Sequence, residues 1–234
     1  MAPFILSRTN ERATKSVARI VLYAALFFVA TRLLSGVLIG VASAVYEQLL
    51  GIPNPMGALR FGGSPEVAAE RFGANTIWML LLVAPLFEEL AFRLALSFRR
   101  AHVAIGAGAL AAFLAMRLAP AGSFFGGWGG AAVVAVAAAG LLYGCSPAGF
   151  WSSKRAAWQV AAGWCSAVGF GLAHLFAMEG LSWELLPFAL LVCFMLACAG
   201  AVFVYLRVNL GFGWALGAHI LNNIPALALL LSMQ

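Results

Sequence analysis

"IVLYAALFFVATRLLSGVLIGVASAV", residues 20–45, holds one charged side chain, Arg32, in 26 residues that are otherwise apolar, small or hydroxylated. About 20 such residues cross the ~30 Å hydrocarbon core of a bilayer. The apolar part of a cleaved secretory signal is only ~7–15 residues long. Arg8, Arg12, Lys15 and Arg19 precede the run, and "VASAV" (41–45) offers a small-residue cleavage pattern. The length nevertheless argues for a retained first span.

The rest of the chain has the same character. Of 234 residues, 64% are hydrophobic and 9% charged, with a mean hydropathy of +0.98. A soluble domain of this size cannot hide so much apolar surface. Further spans read as 76–98, 102–119, 131–146, 157–178, 185–206 and 208–232, joined by short Gly- and Pro-marked connections. The expected fold is an all-α polytopic transmembrane helix bundle of about seven spans, with eight as the alternative count. It forms a single integral membrane domain over 1–234. The mixed segment 47–75 reads as an interfacial amphipathic helix or a re-entrant piece.

The net charge of +6 does not point to nucleic acid, because the basic residues cluster at the ends of apolar runs without interleaved aromatics. With a cytoplasmic N-terminus at 1–19 and seven alternating spans, nine basic residues fall on the cytoplasmic side: Arg8, Arg12, Lys15, Arg19, Arg99, Arg100, Lys154, Arg155 and Arg207. Three fall opposite: Arg60, Arg71 and Arg117. That positive-inside bias places the N-terminus in the cytoplasm, with a bacterial inner (cytoplasmic) membrane as the expected location. Cys145, Cys165, Cys193 and Cys198 lie in or beside apolar segments and form no CxxC pair. They read as small buried hydrophobes.

Ionisable residues inside a membrane are costly, ~2.5–3.5 kcal/mol each at the bilayer centre on insertion scales, so each needs a reason. Four places qualify: Arg32; Glu88, Glu89 and Arg93 within "PLFEELAFR" (85–93); His174; and His219 with Asn223. His102 sits beside Arg99 and Arg100 and reads as interfacial. Glu89 and Arg93 are four residues apart and share a helix face, which allows an ion pair. Glu88 is rotated by about 100° and lacks that partner. A carboxylate without a counter-ion suits the work of a general base. The alternative is that both glutamates are structural, pairing with Arg93 and Arg32. A single buried histidine is ordinarily a satisfied core residue. His219, however, has Asn223 one turn on, and the two present hydrogen-bonding groups on one face, a candidate oxyanion cradle.

"EELAFR" (88–93), "FGLAH" (170–174) and "HILNN" (219–223) match EExxxR, FxxxH and HxxxN, in that order and on three apolar helices. Together they resemble the CAAX prenyl protease and bacteriocin-processing (CPBP, or Abi) family of intramembrane glutamate proteases, over residues 76–232. The resemblance implies that Glu88 acts as general base with His174 on a water molecule. His219 and Asn223 would stabilise the oxyanion, Glu89 and Arg93 would support the site, and Phe170 would pack beside His174. The substrate would be a peptide or membrane-associated protein, and no cofactor is expected. One departure stands out: 80 residues separate Arg93 from His174, room for two additional spans at 102–146.

Three rival readings use the same residues. A zinc metalloprotease would take Glu88, His174 and His219 as ligands, but there is no HExxH. A proton-coupled transporter would use them as a relay, but no inverted repeat is visible. A toxin-immunity membrane protein or scaffold would have little use for so many costly polar groups.

Overall fold

The computed structural model describes residues 16–61, 65–119 and 123–232. Arg8, Arg12 and Lys15 of the expected basic N-terminus lie outside the described residues. Helix α1 (Val17–Leu50) begins at Ser16, whose hydroxyl accepts the Arg19 N–H, and ends at Gly51 in the left-handed region. Its 34 residues rise ~51 Å at ~1.5 Å each, so it extends past the expected 20–45. Within this apolar run the Thr31 hydroxyl donates to the Phe28 carbonyl and the Ser35 hydroxyl to that of Thr31, because the backbone is the nearest polar group.

After α1 come two short helices, α2 (Pro55–Ala58) and α3 (Pro65–Phe72). A helical rod of changing pitch follows: a 3-10 turn Gly73–Asn75, α4 (Thr76–Trp78), a π segment Met79–Val83, α5 (Ala84–Arg93) and a 3-10 turn Leu94–Ser97. The remaining helices are α6 (Arg100–Leu118), α7 (Trp128–Cys145), α8 (Phe150–Ala173), α9 (Leu186–Asn209) and α10 (Phe212–Ser232). Among the described residues, five helices are long and apolar enough to cross a membrane: α1, α6, α7, α8 with its extension (Phe150–Ala177), and α9. The other two expected spans, 76–98 and 208–232, are helical but differ in kind. The first is divided into four segments of three pitches, and the second carries His219, Asn222, Asn223 and an internal Pro225. Helix α8 starts seven residues before the expected 157, so Lys154 and Arg155 lie within its first turns.

Helix α9 is the axis of the bundle. Two thirds of its apolar window is buried, against about a tenth for α1 and α7, which keep most of their surface for lipid. Without a hydrophobic drive between helices in lipid, close approach depends on small residues. A Cβ at Gly171 of α8 would run into the Cys193 carbonyl and lie 2.8 Å from the Ala197 nitrogen and Cβ. Gly108 of α6 makes the same kind of contact with Ala135 and Ala139 of α7. The cysteines depart from expectation. Only Cys193 is buried, Cys198 is half-buried, and Cys145 and Cys165 lie on the outer surface, where an apolar solvent tolerates a thiol as well as a core does.

The helix ends gather on two sides. Ile20 and Ala24 of α1 pack with Tyr205 and Leu206 of α9, whereas Tyr46 packs with Phe188 and Ala189. Helices α1 and α9 are therefore antiparallel. Arg207 reaches the ends of α5, and Arg100 hydrogen-bonds the Tyr143 carbonyl at the end of α7. One side thus collects Arg19, Arg99, Arg100, Lys154, Arg155 and Arg207. On the other, the chain after α1 closes over the loop before α9. Gly180 N–H donates to the Leu59 carbonyl, Phe61 bridges Met178, and the Tyr46 hydroxyl donates to the Glu184 carbonyl. Arg60 adds exposed ion pairs with Glu70 and Glu179, which contribute little in water. The described residues of segment 47–75 are accordingly the last turn of α1, two short helices, a clasp on that loop and the 3-10 turn Gly73–Asn75.

The small-residue contact predicts a paired result. Gly171→Ala should lower unfolding stability in detergent by ~1–3 kcal/mol through overpacking. Gly140→Ala on α7, where a Cβ meets nothing within 4 Å, should leave the unfolding midpoint unchanged or raise it.

Candidate active site

The local sequence of the rod decides where the site's backbone groups point. Pro85 has no N–H to give to a preceding turn. Through Met79–Val83 the helix widens to π register, and the Ala84 N–H bonds to the Met79 carbonyl. In that register the next acceptor, Leu80, would need an N–H from Pro85. Its carbonyl instead accepts from the Asn223 side-chain nitrogen at 2.8 Å. Asn222 in turn donates to the Asn223 oxygen at 3.0 Å. The Asn223 amide is thus oriented at both ends, with one of its two N–H groups committed to Leu80.

Glu89 and Arg93 form the expected pair, 3.0 Å apart, with both side chains fully inaccessible. Arg93 lies over the Phe170 ring, 4.0 Å from its centroid, with Phe203 at 5.4 Å. Gly200 makes room for it: a Cβ there would stand 3.1 Å from an Arg93 nitrogen. Planar stacking on aromatic faces is a guanidinium property that an ammonium lacks. The same Glu89 oxygen also meets His219 Nδ1 at 2.9 Å. His219 stacks on Phe203 at 4.6 Å and meets the Phe170 edge at 5.6 Å. Helices α5, α8, α9 and α10 therefore meet at one buried charge pair.

Glu88 faces the other way. Its side chain is 18% exposed, and an oxygen lies 3.4 Å from His219 Nε2. Glu89 is held by Arg93 as a carboxylate, so the Nδ1 of His219 donates to it. The remaining ring nitrogen then faces Glu88. His174 sits just past the end of α8, where its Nδ1 is 2.7 Å from the Phe170 carbonyl. A carbonyl only accepts, so Nδ1 carries the hydrogen and Nε2 is left as an acceptor. Phe170 packs edge-on against His174 at 4.8 Å, and Phe61 lies at 5.8 Å.

Glu88, His174, His219 and Asn223 line one cavity of about 790 Å³, together with Arg32, Arg117 and Asn222. Glu89 and Arg93 stand behind its wall. His219 has both ring nitrogens turned to carboxylates, Nδ1 to Glu89 and Nε2 to Glu88, and lines the cavity with Asn223. Among the described residues, no three His, Cys, Asp or Glu side chains are arranged to hold a metal ion.

Several contributors carry no motif. Arg207 donates to the Arg93 and Leu94 carbonyls, and Ser166 to that of Phe92. These acceptors are freed where α5 tightens to a 3-10 turn. Arg207 reads in the sequence as a flanking charge, and only its partners reveal the clamp. Phe203, Gly200 and Asn222 are likewise ordinary residues of apolar helices until the packing is known.

Removing one partner of a buried pair leaves an uncompensated charge. Arg93→Met should destabilise the protein by ~3–5 kcal/mol, measured by unfolding in detergent. The double variant Glu89→Gln, Arg93→Met should recover part of that loss.

Searches of protein-family models, of characterised proteins and of solved structures each find no match to this chain.

Proposed function

We propose that this protein is an intramembrane endopeptidase of the glutamate type, resembling the CAAX-protease and bacteriocin-processing family. The observation that carries the reading is that Glu88 and His174, from helices far apart in sequence, open onto one cavity beside a buried Glu89–Arg93 pair. In this reading the chain crosses the membrane seven times, 76–98 and 208–232 being the two spans beyond the five long apolar helices. The basic side faces the cytoplasm of a bacterial inner membrane, and the substrate is a peptide or membrane-associated protein.

Chemically, the cavity supplies what peptide hydrolysis needs. A water donating one hydrogen to Glu88 and the other to His174 Nε2 presents its lone pair to a substrate carbonyl. Glu88 takes the water proton as the C–O bond forms. The negative charge on the former carbonyl oxygen is met by the second N–H of Asn223, whose amide is already oriented by Leu80 and Asn222. Glu88 then delivers its proton to the amide nitrogen as the C–N bond breaks, releasing a carboxylic acid and an amine. His219, anchored by Glu89, exchanges its proton with Glu88 and holds that carboxylate in place.

The test is cleavage of a fluorogenic peptide library by the full chain in liposomes. Glu88→Gln and His174→Ala should each lower kcat by roughly 10²–10⁴-fold, with activity persisting in chelator. Asn223→Ala should lower kcat by ~10²–10³-fold with little change in KM. Activity abolished by chelator would move the reading to a metalloprotease. An inactive wild type whose variants alter proton flux or toxin binding would sink it.

A further inference from the structure

A second pocket lies on the opposite face of α5, between α6 and α8, and nothing in the proposed hydrolysis uses it. It encloses about 500 Å³ and its walls are almost wholly apolar, among them Phe98, Leu110, Trp151, Trp158, Gly169 and Phe176. On α8 and its 3-10 extension the lining residues 151, 158, 162, 165, 166, 169, 172, 173 and 176 follow one stripe at helical spacing. Arg155 belongs to that stripe, one turn from both tryptophans, and its Nε is buried without a hydrogen-bond partner among the described residues.

The charge around it has one sign. All eight acidic residues are glutamates, and none occurs between Glu89 and Glu179. The starts of α6 and α8 nevertheless bring Arg99, Arg100, Lys154 and Arg155 to the same end of the bundle. Arg100 is occupied by the Tyr143 carbonyl and ring, and Lys154 leans on Phe150. Among the described residues neither Arg99, Lys154 nor Arg155 has an ion-pair partner. The lining residues Phe98 and Trp151 place one end of the slot beside these cations in the chain, and cations at the end of an apolar slot between membrane helices suit an anionic lipid: phosphate at the cations, acyl chain below, tryptophans at headgroup level.

We propose that the groove between α6 and α8 is a binding site for an anionic phospholipid, its phosphate held by Arg155 with Lys154 and Arg99, and its acyl chain lying against Trp158, Gly169 and Phe176. The charge is supplied from one end only, so a zwitterionic lipid fills the same slot without the same hold.

The experiment is lipid titration of the purified full chain in neutral detergent, read by native mass spectrometry. Phosphatidylglycerol is compared with phosphatidylcholine of the same acyl chains. Phosphatidylglycerol should bind at least tenfold more tightly, and added salt should erode the difference. Arg155→Gln should weaken it about fivefold, while Arg155→Lys retains most of it. Gly169→Leu is a second probe that the backbone accepts, since a Cβ there makes only an ordinary contact with Phe92. Filling the slot in this way should weaken both lipids together. Equal binding of the two lipids by the wild type, or an Arg155→Gln protein that still prefers phosphatidylglycerol as the wild type does, would overturn the assignment.

Discussion

The buried pair of Glu89 and Arg93 is the constraint on which the rest of the bundle depends. Two charges without access to water are tolerable only where each finds its complement within a few ångströms. Here the complements come from four helices. Arg93 takes Glu89 from its own helix, the face of Phe170 from α8, and the room left by Gly200 of α9. Glu89 in turn takes His219 from α10. Moving any of these helices by a turn would strand a charge in an apolar medium, so the pair sets their relative register more tightly than apolar packing between lipid-exposed helices can.

A second constraint is local. Pro85 removes one N–H, the helix widens to π register over Met79–Val83, and a carbonyl is left over at Leu80. In a membrane interior such an acceptor must find a partner in the protein. Asn223 provides it, and the amide is thereby oriented at the edge of the cavity. The other end of α5 shows the same logic, where the carbonyls freed by the 3-10 turn are taken by Ser166 and Arg207. The short helix carrying both glutamates is thus held at its two ends by side chains from its neighbours, while one glutamate faces inward and the other faces open space.

Charge is sorted along the molecule as well as within the site. Glu47, Glu70, Glu179 and Glu184 lie on the side where the chain after α1 clasps the loop before α9, and Arg60 joins that group through Glu70 and Glu179. The opposite side is cationic. A membrane provides different environments on its two faces, and this protein offers each a surface of different sign.

From sequence alone, much of this was legible. Apolar runs of span length indicated a helical membrane protein, because no other solvent accommodates them. The four-residue spacing of Glu89 and Arg93 foretold their pair and left Glu88 apart, since helical periodicity is a local property of the chain. What only the tertiary structure decided are the contacts made across long stretches of it. Glu89 meets a histidine 130 positions away. His219 lies between two carboxylates that come from a distant helix, and Arg207, a flanking charge by sequence, clamps α5. The interrupted pitch of 76–98 and the long start of α8 also escaped a reading by apolar run length. The physical reason is common to all of them. Periodicity and hydropathy depend on neighbours in the chain, whereas a buried polar group is satisfied by whatever packing brings beside it.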